Sequence, residues 1–166
     1  MSRSRQAALI LLLGSAALWG GALFFEHVVG LAPCELCLAQ RWPHKIVIVL
    51  ALIALFAGDR ASTPWLLGLC GLVLAAGAAI AFYHVGVEQH WFSGPTACTG
   101  AASSAATVEE LTRQIMGQQV VRCDQIAWSL FGISMAGWNL LFSLALAAFG
   151  FYAFGALRGA RRWRPA

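Results

Sequence analysis

The stretch PWLLGLCGLVLAAGAAIAFY (Pro64–Tyr83) is 20 residues long and contains no charged side chain. A helix needs about 20 mostly apolar residues to cross the roughly 30 Å of hydrocarbon in a bilayer. Two more uncharged runs, Ala7–Phe25 and Met135–Leu157, meet this requirement, and a shorter apolar run, Ile46–Gly58, precedes Pro64. The sequence therefore predicts one all-α domain, a four-transmembrane-helix bundle. The spans are expected at about residues 7–26, 39–58, 64–84 and 135–157, with outer loops at about 27–38 and 85–134.

The basic residues predict how the bundle is oriented. With the N-terminus inside, the inner segments carry an excess of arginine (Arg3, Arg5, Arg60, Arg158, Arg161, Arg162, Arg164) over the outer loops and their border (Arg41, Lys45, Arg113, Arg122). This asymmetry predicts that both termini are cytoplasmic. The first run could instead be a cleaved signal peptide, but it is long and ends in Phe24–Glu26 rather than in a small-residue cleavage site. The basic residues form a tail and not a folded face, so no nucleic-acid partner is expected.

The second outer loop is too long for a simple connection. Within it, Val108–Gln119 (VEELTRQIMGQQ) predicts a short amphipathic helix, because Thr107 can cap it and Val108, Leu111 and Ile115 recur at helical spacing. This helix could lie on the membrane surface or pack on protein as an ordinary loop helix, and the sequence leaves both possibilities open.

The run Ile46–Gly58 is too short to cross a bilayer alone. We therefore expect the second helix to begin near Leu38 and to continue through Pro43. That start would place Cys37 at the helix N-terminus and Arg41 one turn further along the same side. A thiol in such a position is expected to have a lowered pKa and a higher reactivity.

Four of the five cysteines fall in the predicted outer loops. Cys34 and Cys37 form a CxxC pair in the first loop, Cys98 and Cys123 lie in the second, and Cys70 lies inside the third apolar run. An outer compartment is oxidising, so disulfide bonds are expected there. The second pair could be a structural crosslink, while zinc fits poorly because only one pair is closely spaced. Two pairs in different settings are better explained by thiol–disulfide exchange between them.

The run FFEHVVGLAPCELCLAQR (Phe24–Arg41), the cysteines at 98 and 123 in one long outer loop, and four spans with both ends inside resemble the disulfide bond formation protein B family of bacterial inner membranes. This resemblance implies a multi-pass thiol:quinone oxidoreductase with its redox loops in the periplasm. It implies that Cys34 and Cys37 are reoxidised by ubiquinone or menaquinone. It also implies that Cys98 and Cys123 oxidise a periplasmic thioredoxin-fold thiol oxidase of the DsbA type, with Cys98 forming the mixed disulfide.

The resemblance also assigns residues to the quinone. Arg41 matches an arginine implicated in quinone interaction, and His84 lies where the family carries a histidine near the quinone. His44 is a further candidate because of its depth along the second helix, although an interfacial polar ring would explain it equally well. Glu26 stands where the family usually has glutamine. No metal is expected. A vitamin K epoxide reductase-like protein is disfavoured, because there the loop pair precedes the CxxC pair.

Overall fold

The computed structural model describes residues 2–95, 107 and 121–162 of the chain. Its regular elements are four long helices and a two-stranded antiparallel hairpin: α1 (Arg3–His27), α2 (Glu35–Ala57), α3 (Thr63–Glu88), β1 (Ser129–Leu130), β2 (Ile133–Ser134) and α4 (Met135–Arg162). Each helix contains an 18-residue window whose mean hydropathy is between 1.4 and 2.2, so all four are long and apolar enough to cross a membrane. The prediction of an all-α membrane protein with four spanning helices is confirmed.

Helix α2 lies between α1 and α3, and α3 packs along α4. The buried side of α2 follows a spacing of three and four residues, as a helix with one packed face requires (Leu36, Gln40, Pro43, His44, Val47, Ala51, Ala54). The centre of the bundle is apolar and includes the fully buried Leu11, Val47, Leu67 and Leu74. Large apolar side chains such as Leu13, Phe56 and Leu72 remain exposed on the outer faces, as expected for surfaces that contact lipid.

Small residues allow the helices to approach closely at two places. A Cβ atom added to Gly150 would lie 2.9 Å from the Cα atom of Gly71, so α3 and α4 touch backbone to backbone there. A Cβ atom on Gly77 would lie 2.9 Å from Cβ of Pro43, which packs α2 against α3. On α3, Gly71 thus lies at a helix contact, whereas Ala79, two steps of four residues further along, is exposed.

Helix α2 begins at Glu35, so the predicted start near Leu38 is wrong. The reason is that Cys34 caps the helix: its backbone is extended, and its Sγ atom accepts a hydrogen bond from the Cys37 N–H at 3.2 Å. The residue at the helix N-terminus is therefore Cys34, and Cys37 lies within the first turn. Helix α3 also continues beyond residue 84 to Glu88. The predicted amphipathic helix Val108–Gln119 lies outside the described residues.

Candidate functional site

The two cysteines of the CxxC motif lie side by side where α2 begins. Cys34 is buried, Cys37 is half-buried, and both are free thiols with their Sγ atoms 2.8 Å apart. The start of the helix brings them together, because Cys34 is the N-cap residue and Cys37 is three residues further along the first turn. A disulfide bond has a sulfur–sulfur length of about 2.05 Å, so a small closing movement would join them.

Cys34 also contacts helix α3. Its Sγ atom lies 3.6 Å from Nε2 of His84, whose side chain is buried. The hydrogen bond between the two thiols lowers the pKa of Cys34, and the contact with His84 acts in the same direction, although burial opposes both. The Cys37 N–H, which points out of the helix N-terminus at Cys34, adds to this effect. Cys34 is thus the thiol whose surroundings favour the thiolate.

Behind His84, buried amide groups connect three helices. Nε2 of Gln40 lies 2.6 Å from Nδ1 of His84, and Nδ2 of Asn139 donates to Oε1 of Gln40 at 2.6 Å. Oδ1 of Asn139 in turn lies 2.9 Å from Nε2 of His44 and accepts a longer bond of 3.4 Å from Ser143 Oγ. His44, one of the predicted residues, is therefore linked to Cys34 through this series of hydrogen-bonded side chains.

Glu88 forms the other boundary of the site. It follows His84 by one helical turn, and its Oε1 atom lies 3.9 Å from His84 Nε2. Its Oε2 atom accepts a hydrogen bond of 2.5 Å from Ser134 Oγ, at the end of β2. The buried carboxylate thus fastens the hairpin segment to α3 beside the cysteine pair.

Arg41 forms an ion pair with Glu26, which connects α2 to α1. Both side chains are largely buried, with 11% and 24% of their surfaces exposed. Within the described part of the chain, the Nε atom of Arg41 is buried and has no hydrogen-bond partner. One N–H of the guanidinium therefore remains available to a ligand.

A cavity of about 440 Å³ opens between the helices at this end of the bundle. The cysteine pair, Arg41, His44 and His84 all line it, together with Gln40, Glu88 and Asn139. Its other walls are mainly apolar and aromatic (Leu18, Trp19, Ala22, Phe25, Trp128, Trp138, Phe142). Most predicted site residues are thus brought together around one cavity, although they come from separate helices.

The same atoms could hold a metal ion, because the sulfurs of Cys34 and Cys37 and a ring nitrogen of His84 lie within 4.8 Å of one another. Two thiolates and one imidazole are suitable ligands for zinc, with one coordination position open. The ring nitrogen that faces the sulfurs would have to be deprotonated to bind a metal.

The remaining cysteines have different surroundings. Cys123 forms a disulfide bond and is buried in the same cluster as Cys34, together with Leu36 and Val87. Its predicted partner, Cys98, lies outside the described residues. Cys70 is a free thiol buried in the apolar centre of the bundle, separate from this site.

Sequence reasoning did not assign roles to Gln40, Glu88 or Asn139. The signal for Gln40 and Glu88 was present, because they continue the buried three- and four-residue spacing of α2 and α3 toward the cysteines. A polar residue at such a position must find a buried partner, which makes it a candidate for a site. Asn139 has no comparable signal, since only the packing of α4 brings it to Gln40.

Comparison with known proteins identifies the family. The family model for disulfide bond formation protein DsbB matches residues 4–153. The chain is 30% identical over 159 residues to disulfide bond formation protein B of Stutzerimonas stutzeri (strain A1501), covering 89% of this chain and 92% of that protein. It is 32% identical over 176 residues to disulfide bond formation protein B of Verminephrobacter eiseniae (strain EF01-2), covering 98% and 93%. No solved structure matches the chain significantly. Because the family match extends over nearly all of its length, the chain belongs to the disulfide bond formation protein DsbB family, and it is a multi-pass membrane oxidoreductase that acts in oxidative disulfide formation.

Proposed function

We propose that this protein is a thiol:quinone oxidoreductase that reoxidises a periplasmic thioredoxin-fold dithiol oxidase of the DsbA type. Electrons pass from that partner to the Cys98–Cys123 pair, then to the Cys34–Cys37 pair, and then to ubiquinone or menaquinone. The observation that carries the proposal is the burial of disulfide-bonded Cys123 in one cluster with Cys34. A crosslink that served only to hold a loop would not need to lie against a second cysteine pair.

The exchange between the pairs balances without any other reactant. A thiolate of the reduced partner attacks Cys98, breaks its bond to Cys123 and forms a mixed disulfide. The partner's second thiolate resolves this bond, so the partner leaves oxidised and the loop pair is left reduced. The thiolate of Cys123 then attacks Cys34 of an oxidised Cys34–Cys37 pair and expels the Cys37 thiolate. Attack by Cys98 on Cys123 restores the loop disulfide and leaves Cys34 and Cys37 as the reduced pair.

The cavity fits a quinone ring. Its volume of about 440 Å³ lies within the range of roughly 300–1,000 Å³ that is usual for small-molecule pockets, and its aromatic walls suit a flat apolar ring. The buried Nε–H of Arg41, which has no partner among the described residues, can donate to a quinone oxygen. When bound, a quinone supplies the two-electron oxidation of the cysteine pair and takes up two protons. Phe25 and Trp128, whose ring centroids lie 4.8 Å apart, help to keep water from the pair.

The proposed reaction also requires a defined orientation of the protein in the membrane. Both termini face the cytoplasm, the membrane is the bacterial inner membrane, and the cysteines face the periplasm. The arginine excess in the inner segments supports this arrangement.

The test is quinone reduction by the purified protein in detergent, supplied with a reduced thioredoxin-fold partner. Absorbance of the oxidised quinone is expected to fall with the wild type and with Cys70→Ser, whose thiol lies in the apolar centre of the bundle. It is expected to remain constant with Cys34→Ser and with Cys37→Ser. If folded, oxidised wild-type protein reduces neither ubiquinone nor menaquinone, or if Cys34→Ser turns over normally, the proposal is wrong.

A further inference from the structure

We propose that Gln40 and Asn139 are positioning residues that set the tautomer of His84, so that its proton sits on Nε2 and faces Cys34. The inference rests on the proposed function only in taking Cys34 as a reacting thiol. The hydrogen bonds between side chains of three helices determine the tautomer.

The direction of each hydrogen bond between Asn139, Gln40 and His84 follows from which atoms can donate. An amide nitrogen can only donate and an amide oxygen can only accept. Asn139 Nδ2 donates to Gln40 Oε1 at 2.6 Å, which leaves the Gln40 amide nitrogen facing His84 Nδ1, also at 2.6 Å. A nitrogen that donates to Nδ1 requires Nδ1 to be the unprotonated ring atom. A neutral His84 therefore carries its proton on Nε2.

The other end of the ring supports the same assignment. Nε2 faces two acceptors, the sulfur of Cys34 at 3.6 Å and the Oε1 atom of Glu88 at 3.9 Å. A proton on Nε2 is attracted by a Cys34 thiolate and by the Glu88 carboxylate, whereas a bare Nε2 would face these two negative groups with no donor between them. The donor at Nδ1 and the acceptors at Nε2 thus favour one tautomer.

Burial strongly favours this one orientation of the two amides. Gln40, His84 and His44 are almost fully buried, and a buried amide that loses its partner is strongly destabilised. Rotating the Gln40 amide would place its nitrogen against the Asn139 amide nitrogen, so that two donors would face each other, unless Asn139 also rotated. Two amides on different helices would have to turn together, so each holds the other in place.

The consequence concerns the role of His84. With the proton on Nε2, the neutral ring donates to a Cys34 thiolate and stabilises it, and the ring does not remove a proton from the Cys34 thiol. The same tautomer disfavours a metal ion at this position, because Nε2 has no free lone pair while Gln40 donates to Nδ1.

The other charged and titratable groups around the site are distributed over several elements. They are Glu26 of α1, Cys37, Arg41 and His44 of α2, Glu88 of α3, and Arg122 with Asp124 in the segment before β1. The ion pairs Arg41–Glu26 and Arg122–Asp124 each join opposite charges, and among the described residues the basic group paired with Glu88 is His84.

The experiment reads the tautomer directly. Reduced protein labelled with ¹⁵N in histidine is studied by NMR in detergent, and the His84 signals are assigned by their loss in His84→Phe. We expect Nε2 of the wild type to be protonated and Nδ1 to be bare. In Asn139→Asp the new carboxylate can only accept, so the Gln40 amide turns and its oxygen accepts from Nδ1; the proton is expected to move to Nδ1. Gln40→Glu, whose carboxylate also can only accept from Nδ1, is expected to have the same effect.

Both substitutions nearly preserve side-chain size, so the fold is expected to survive. Gln89→Glu, at an exposed position after α3, is the control and should leave the tautomer unchanged. The pH dependence of Cys34 alkylation provides a second readout, and we expect its midpoint to move up by about one pH unit in Asn139→Asp, which is a tenfold change in the ionisation constant. A wild-type His84 protonated on Nδ1, or an unchanged tautomer in folded Asn139→Asp, would overturn the proposal. Quinone does not enter either readout, so a failure of the proposed function would leave the tautomer result intact.

Discussion

The carboxylate of Glu26 and the guanidinium of Arg41 form an ion pair that joins α1 to α2 beside the cysteine pair. The pair neutralises much of the Arg41 charge, but it leaves the Nε–H without a partner among the described residues. A ligand at Arg41 therefore meets a guanidinium that is already held in place, with one donor free. The contributions of Arg41 and Glu26 to ligand binding can therefore be tested separately by mutating each residue.

Replacing Arg41 by alanine is expected to weaken quinone use more than partner use. The loss of one hydrogen bond from a charged group, about 1.5–3 kcal/mol, corresponds to a rise of roughly 10- to 100-fold in the apparent KM for quinone. Steady-state assays that vary quinone and reduced partner separately would measure both constants. Arg60→Ala serves as the control, because Arg60 is exposed in the turn between α2 and α3, at the opposite end of α2 from the cavity. An unchanged quinone KM in Arg41→Ala would remove Arg41 from the quinone site.

Replacing Glu26 by glutamine is expected to act in the opposite direction. The amide keeps a hydrogen-bonding oxygen for Arg41 but removes the negative charge, so the guanidinium becomes a better partner for an oxygen of the quinone. We expect a fall of several-fold in the apparent quinone KM, which is what a change of about 1 kcal/mol in one ion pair would give. The same quinone titration tests this. A higher KM would mean that the negative charge of Glu26 itself assists binding.

Cys34 is expected to react as a thiolate at a pH where ordinary thiols do not. Its pKa is lowered by the hydrogen bond with Cys37 and by the contact with His84. An ordinary thiol with a pKa near 8.5 is roughly 0.3% ionised at pH 6. Because the folded-state pKa is depressed, the thiolate persists as the pH falls and is lost only when the pH passes below that lower pKa. Iodoacetamide labelling of the reduced protein from pH 5 to 9, with the modified cysteine identified by mass spectrometry, would show this. Labelling of Cys34 that rises only above pH 8 would contradict it.

Cys34 and Cys123 are expected to form a disulfide bond when their own partners are removed. The reason is that both are buried in one cluster with Leu36 and Val87. In the double variant Cys37→Ser, Cys98→Ser, mild oxidation should join Cys34 to Cys123, as peptide mapping without reduction would detect. Cys70 remains in this variant as an internal control, and no linkage to it is expected. A predominant bond between either cysteine and Cys70, or no bond at all, would count against exchange between the pairs.

The close contact of α3 with α4 makes a prediction about stability. Gly150→Ala would place a methyl group 2.9 Å from Cα of Gly71, and we expect a loss of about 1–3 kcal/mol in the free energy of unfolding. Gly155→Ala is the matched control on the same helix, since nothing lies within 4 Å of its added Cβ atom. There the change should be neutral or slightly stabilising, because alanine favours the helix. Unfolding in mixed micelles would measure the free energy of unfolding of both variants. Equal values would contradict the prediction, because they would show that α3 and α4 can move apart to accept a methyl group without loss of stability.

The sequence alone determined the features that depend on residues close together along the chain. Three long uncharged runs and a shorter fourth run indicated four spanning helices, and the spacing of Cys34 and Cys37 indicated a close thiol pair, because both signals are local. The resemblance carried by Phe24–Arg41 indicated the family that the comparisons confirm. Even the misplaced start of α2 had a local cause, since the side chain of Cys34 replaces a more usual capping residue.

The tertiary structure alone decided which polar groups meet. Gln40, His84 and Asn139 lie on three helices, far apart in sequence, and their contact depends on how each helix is rotated and how deeply it is placed. The same is true of Cys123 beside Cys34, and of Ala79, which faces outward although its spacing matches Gly71. In a membrane the apolar faces that meet lipid and those that meet other helices have similar composition, so hydrophobicity cannot determine rotation. Close packing at glycines and the need of each buried amide for a partner determine it instead.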